Sequence, residues 1–331
     1  MEKEQKKFIV NIIIFCLILI ELIIIINSVY IQFVFNKKML YRQEVEYDEF
    51  VKNSNKTLEF AFLGDSHTAN AINPEYIPRS WSFAFLSDGN YLANYYRLKK
   101  VVEYDNISIK YVIFEIDMHS FSEAMFAGDF FSTLNLRSKY LSLSEIGKIR
   151  NDCSFAKILF EIYLPVLGQG SEFKYLYLKE LSNLYRGHNT ADGDLTKQPD
   201  IDFELANQYR IHFKNFKRID NKSMGYFLKS IKFAKEHNIS IIFMKYPIAK
   251  ELNEYYENMN VTREDYYSEI LKEINLTIGD NYTLLDYHDY LNDTSYFYDP
   301  GHLNVKGSEI FSKKVYLELI ELEKCKTHPC D

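Results

Sequence analysis

The chain has 331 residues, 47% hydrophobic and 26% charged, the proportions of an ordinary folded protein rather than a disordered one. A formal net charge of -7, with no basic stripe interleaved with aromatics, argues against a nucleic-acid partner. None of the four cysteines forms a Cys-x-x-Cys pair, so no zinc site or other metal centre is expected.

The first predicted element, residues 1–36, is a transmembrane helix. Phe8 to Phe35 is almost wholly apolar, broken chiefly by Asn11, Glu21, Asn27 and Gln32. As a helix this run measures about 40 Å, against a hydrocarbon core of about 30 Å. No small-x-small cleavage site follows it, which favours an uncleaved anchor. Lys3, Lys6 and Lys7 before the span balance Lys37, Lys38 and Arg42 after it, so charge gives no orientation. Glu21 lies near mid-span, where a carboxylate is costly. It predicts either a helix of a membrane partner or a protonated side chain tolerated in a lone anchor.

Residues 37–57 read as a polar stalk, and 58–324 as one α/β domain. Apolar strands are predicted over Leu58 to Leu63, Ser80 to Leu86, Lys110 to Ile116, Ser240 to Tyr246 and Thr283 to Asp286. Helical spacing covers Tyr91 to Glu103, Lys222 to His237, Arg263 to Ile274 and Lys306 to Leu322. This alternation predicts a three-layer sandwich around a central parallel sheet. The looser pattern over about 120–220 reads as a helical insertion above the sheet. In the tail, 325–331, Cys325 and Cys330 either close a small disulfide or stand as two free thiols.

The first strand runs into Gly64-Asp65-Ser66-His67, and the closing helix is preceded by Asp299-Pro300-Gly301-His302. Serine, imidazole and carboxylate are the ingredients of acyl transfer through a covalent ester, with His302 as base and Asp299 as its orienting group. The order of elements puts Ser66 at the C-terminal end of a strand, where open α/β sheets bind ligands. Asp117 and His119, at the end of another strand, offer a rival Asp-x-His pair or a substrate contact. His67 reads as a surface turn residue, or as one that lines the entry or touches substrate, and Asp65 as a turn-bonding one.

These two blocks resemble the SGNH (GDSL) hydrolase superfamily, over roughly Leu58 to Ile320. The resemblance implies an SGNH/flavodoxin-like fold, Ser66 as nucleophile, and an oxyanion hole from the backbone of Ser66 and Gly89, with Asn90 as a side-chain donor. The usual Gly-x-Asn-Asp block is absent. The anchor, the Gly-Asp-Ser-His turn and the late Asp-x-x-His are similar to the membrane-anchored DltD type and to polysaccharide O-acyltransferases. That resemblance implies a domain outside the cell membrane, transfer of an acetyl or D-alanyl group to a cell-envelope polysaccharide or teichoic acid, and a membrane-bound O-acyltransferase partner. No cofactor is implied. An esterase or deacylase with the same triad, or a non-catalytic binding subunit, are the alternatives.

Overall fold

The computed structural model describes residues 2–33, 47, 49–53, 56–84, 91–122, 205–206, 209, 219–258 and 263–327. The N-terminal helix and the sheet domain that begins at Val51 belong to separate units and are described one by one. Helix α1 (Glu2–Phe33) carries a 28-residue apolar stretch, Lys3–Tyr30, with a mean hydropathy of 3.3. Its apolar side chains point outward all round, Phe8, Ile12, Phe15 and Leu19 among them. Such a helix is long and apolar enough to cross a membrane, and is unlike a surface helix with one polar face.

Among the described residues of the second unit, five parallel strands form the central sheet: β1 (Thr57–Leu63), β2 (Ser80–Ser82), β3 (Ser108–Glu115), β4 (Ser240–Lys245) and β5 (Thr283–Asp286). Their order is β2-β1-β3-β4-β5. The inner strands read as unbroken apolar runs because both faces are covered. Phe60 and Phe62, Tyr111 and Ile113, Ile242 and Met244 point to one face, where Phe311, Val315 and Leu319 of the last helix meet them. On the other face Phe114 and Phe243, paired in register, pack with Phe227. Phe227 belongs to the helix Asn221–Glu236, and the Tyr91 ring lies tilted against it.

Among the described residues, the helices of this unit include α2 (Ser66–Ala71), α3 (Tyr91–Lys99), α4 (Asn221–Glu236), α5 (Lys250–Asn258), α6 (Arg263–Ile278) and α7 (Val305–Thr327). Helix α3 continues into a wider π-type turn over Lys100–Tyr104. Asp220 caps α4 by accepting the Ser223 N–H at 2.7 Å, and Asn304 caps α7 by accepting that of Gly307 at 3.0 Å. A two-stranded ribbon, β6 (Phe297–Asp299) with β7 (His302–Leu303), leads into α7.

Several expectations need correction. The strand expected over Ser80 to Leu86 is only three residues long, and residues 85–90 lie outside the described ones. Helix α5 and the β6–β7 ribbon were not legible. In α5 only Leu252 and Tyr256 are buried, too few apolar residues to give a period. The insertion expected over 120–220 lies outside the described residues apart from 120–122, 205–206, 209 and 219–220. Cys325 is disulfide-bonded, and Cys330 is outside the described residues.

Strand β1 pairs with β2 on one side and β3 on the other, so the connections leave it in opposite directions. Such a switch point opens a crevice beyond the carboxyl ends of β1 and β3. Gly64-Asp65-Ser66 and Glu115-Ile116-Asp117 are the residues found there.

Candidate active site

The nucleophile turn is made by its own sequence. Asp65 follows β1 by two residues and caps α2, its Oδ1 accepting the His67 N–H at 2.8 Å. Thr68 N–H and Oγ1 both turn to Glu115 Oε2, as does the Asp65 N–H at 2.9 Å. Gly64 is required because a Cβ there would overlap both the Thr68 side chain and Glu115 Oε2. With His67 and Thr68 amides engaged, the Ser66 N–H at the head of α2 makes no hydrogen bond among the described residues. It is free to face an oxyanion.

The base comes from a tight turn. Pro300 and Gly301 sit at its centre, and Asp299 and His302 face each other across it in the β6–β7 register. Asp299 Oδ1 accepts the Gly301 N–H at 2.9 Å, which fixes the carboxylate. His302 Nδ1 lies 2.8 Å from both Asp299 oxygens, and its Nε2 lies 2.8 Å from Ser66 Oγ. Burial works against the Asp299 charge. The hydrogen bond and charge of His302, with the Gly301 amide, nevertheless hold its carboxyl below the usual range. An ionised Asp299 only accepts, so His302 Nδ1 carries the proton and Nε2 presents a lone pair to the Ser66 hydroxyl.

Two blocks 236 residues apart meet because α7 is hooked onto the end of α2. Ser308 Oγ and Ser312 Oγ donate to the Ala71 carbonyl at 3.2 and 3.1 Å, and the Asn73 N–H donates to Ser312 Oγ at 2.9 Å. Phe311, fully buried on the same helix, anchors it to the sheet.

Beneath the serine lies a buried polar network. His67 is 4% exposed, so it is not a surface turn residue. Its Nδ1 is 3.0 Å from Asp117 Oδ2, and its ring lies 4.3 Å from that of His119 and 4.9 Å from that of His302, centre to centre. Asp117 and His119 do not act on a common partner: His119 Nε2 bonds Asp65 Oδ2 at 2.6 Å. Both are buried, and it is His302, not His119, that pairs with Ser66 Oγ. Ser120 Oγ completes the set, 2.9 Å from Asp65 Oδ2 and 3.3 Å from Glu115 Oε1. Gly89 and Asn90 lie outside the described residues.

The charges in this network sort themselves. Burial, then the nearby negative charges of Asp65 and Asp117, push Glu115 well above the carboxylate range, which favours its neutral form. Burial opposes the Asp65 charge too, but His119, then His67 and Glu115, hold that carboxyl well below its ordinary value. Glu115 was not singled out from the sequence. A lone acid closing an otherwise apolar buried strand was its signal.

Asp65, His67, Glu115 and His119 each bring one donor atom within 4.8 Å of the others, a spacing a cation could use. Their oxygens are already satisfied by backbone, hydroxyl and imidazole groups, which fits a hydrogen-bonded support better than a metal centre. Beyond them, a cavity of about 560 Å³ opens at the ends of β4 and β5, lined by Lys245, Tyr267, Asp286, Tyr287 and His288 among others.

No family model and no curated protein matches the chain. Among solved structures it is similar to a crystal structure from Bacteroides fragilis, provisionally described as an acylhydrolase, with a TM-score of 0.36 and 10% identity. The match covers 86% of this chain and 99% of that one. A likeness of that extent carries no weight for function, which rests on the residues around Ser66.

Proposed function

We propose that the chain is a serine acyl-transfer enzyme of SGNH type, with Ser66 as nucleophile, His302 as acid and base, and Asp299 as orienting carboxylate. The observation that carries this reading is the 2.8 Å approach of His302 Nε2 to Ser66 Oγ, with Nδ1 held by Asp299. His302 takes the Ser66 proton as Oγ bonds to an acyl carbonyl carbon. The Ser66 N–H donates to the oxygen that gains charge. His302 then protonates the leaving oxygen as its bond to the acyl carbon breaks, and an acyl ester remains on Ser66. In the second half His302 deprotonates an incoming hydroxyl, which attacks the ester and restores Ser66.

In its simplest form the activity is that of an acylhydrolase or esterase, with water as the incoming hydroxyl. We favour transfer to a cell-envelope polymer hydroxyl, with an acetyl or D-alanyl group carried on Ser66. Helix α1 supports this reading, since it would hold the domain at a membrane surface. Glu21 within that helix supports docking to a membrane-bound acyltransferase, which would relieve a carboxylate in the span.

The test is labelling of the full-length chain in detergent with a fluorophosphonate probe. Wild type should be labelled, and Ser66→Ala and His302→Ala should not. A folded wild-type protein that resists the probe, alone and with its membrane partner, would replace the enzyme reading with that of a binding subunit.

A further inference from the structure

Beside the Asp299–His302 pair stands a second imidazole with its own carboxylate, and no step of the acyl transfer above uses it. Its two ends are fixed: the His67 backbone is held by Asp65 and its Nδ1 by Asp117. Asp65 is itself held by His119 from the segment after β3. From the β6–β7 ribbon, His302 and Asp299 face the same ring. Its outer side borders a chamber of about 20 Å³, the size of one water molecule, walled by Tyr256, Tyr267 and His288. Asp117 lines the chamber too, and its Oδ1 has no hydrogen-bond partner among the described residues.

We propose that His67, held by Asp117, is a positioning residue for the Ser66 reaction, acting through His302 by the charge it places 4.9 Å away. The inference rests on the acyl-transfer reading above. When Ser66 gives up its proton, His302 becomes an imidazolium. A second imidazolium on His67 opposes it between two largely buried rings, where effective dielectric constants of about 20 leave such repulsion strong. Asp117 and Asp299 each offset part of it. Burial alone would strip His67 of charge, but the Asp117 hydrogen bond and the charges of Asp65, Asp117 and Asp299 raise its proton affinity above that of an ordinary imidazole. His67 therefore stays charged across the acid range. It keeps His302 unprotonated, and so available as a base, to lower pH than His302 would be alone. No proton passes between the two rings.

The experiment follows the histidine rings of the full-length protein in detergent by selective ¹⁵N NMR, from about pH 5 to about pH 8. Coupled rings titrate in two steps. In wild type the His302 signal is expected to move in two steps, and in His67→Gln in a single step at higher pH. Fluorophosphonate labelling, followed over the same range, should cross over. The variant should be roughly threefold to tenfold slower than wild type at the acid end and no slower at the alkaline end. Damage to packing alone would lower the rate evenly at every pH.

A one-step His302 curve in wild type, or one unmoved in a folded His67→Gln, overturns the inference. If His67→Gln does not fold, the wild-type curve still decides. Coupled rings without labelling would support the coupling while striking down the acyl-transfer reading.

Discussion

Glu115 offers the most informative single position, because two substitutions there separate a neutral acid from a charged one. Its Oε2 accepts from the Asp65 amide and the Thr68 hydroxyl, and Ser120 Oγ lies by Oε1. Glu115→Ala leaves the first two donors buried without a partner. At about 2 kcal/mol each the loss is about 4 kcal/mol, or about 8–16 °C in Tm for a domain of this size. Glu115→Gln keeps an oxygen that accepts from the Asp65 amide and the Thr68 hydroxyl. The sign of its pH dependence follows from the raised folded value. The stability that Glu115 contributes is complete below its unfolded value, about 4.3, and drains away as pH rises toward the folded one. Glutamine has no proton to lose, so Glu115→Gln should match wild type near pH 4 and exceed it increasingly toward pH 8. Thermal unfolding of the full-length chain in detergent, read from Trp81 in β2, the chain's single tryptophan, provides the assay. A Glu115→Gln loss as large as that of Glu115→Ala, or a gap from wild type that ignores pH, would show that Glu115 is ionised in the fold.

Gly307→Ala would drive a Cβ into the Tyr296 carbonyl and displace the first turn of α7. A loss of about 1–3 kcal/mol is expected, with Ser66 labelling at least tenfold slower, since His302 enters that turn; unchanged labelling would refute the linkage. Phe311→Ala removes a fully buried ring from the α7 face and should cost about 3–5 kcal/mol in the same unfolding assay. Asp299→Asn should slow labelling by roughly 10⁴-fold, because an amide no longer enforces the Nδ1–H tautomer. Asp299 has a lowered folded value, so its contribution to stability is present above its unfolded one and is lost as pH falls through the folded one. The variant should therefore lack that part of the wild-type loss in acid unfolding. Deletion of residues 2–33 should move the protein from the membrane pellet to the supernatant on sedimentation.

Legibility followed the range over which each property is decided. The apolar N-terminal helix, the buried strands and the helices α4 and α7 were readable because an apolar run or a helical period is local in the chain. Ser66, Asp299 and His302 were readable as residue types in two turns, and the Pro300-Gly301 corner lets a carboxylate and an imidazole three residues apart face each other. That α7 would bring this corner onto Ser66 was not readable. It depends on Ser308 and Ser312 finding the Ala71 carbonyl across the fold. The same holds for His67. As a residue after a turn serine it looked exposed, and it is buried because Asp117, 50 positions away, supplies the partner that makes burial affordable. Local pattern determined where the chain would form strands, a long apolar helix and a serine-bearing turn. Only the packed structure decided which polar groups would be taken out of water together, since a buried charge is tolerated only where the fold delivers its partner.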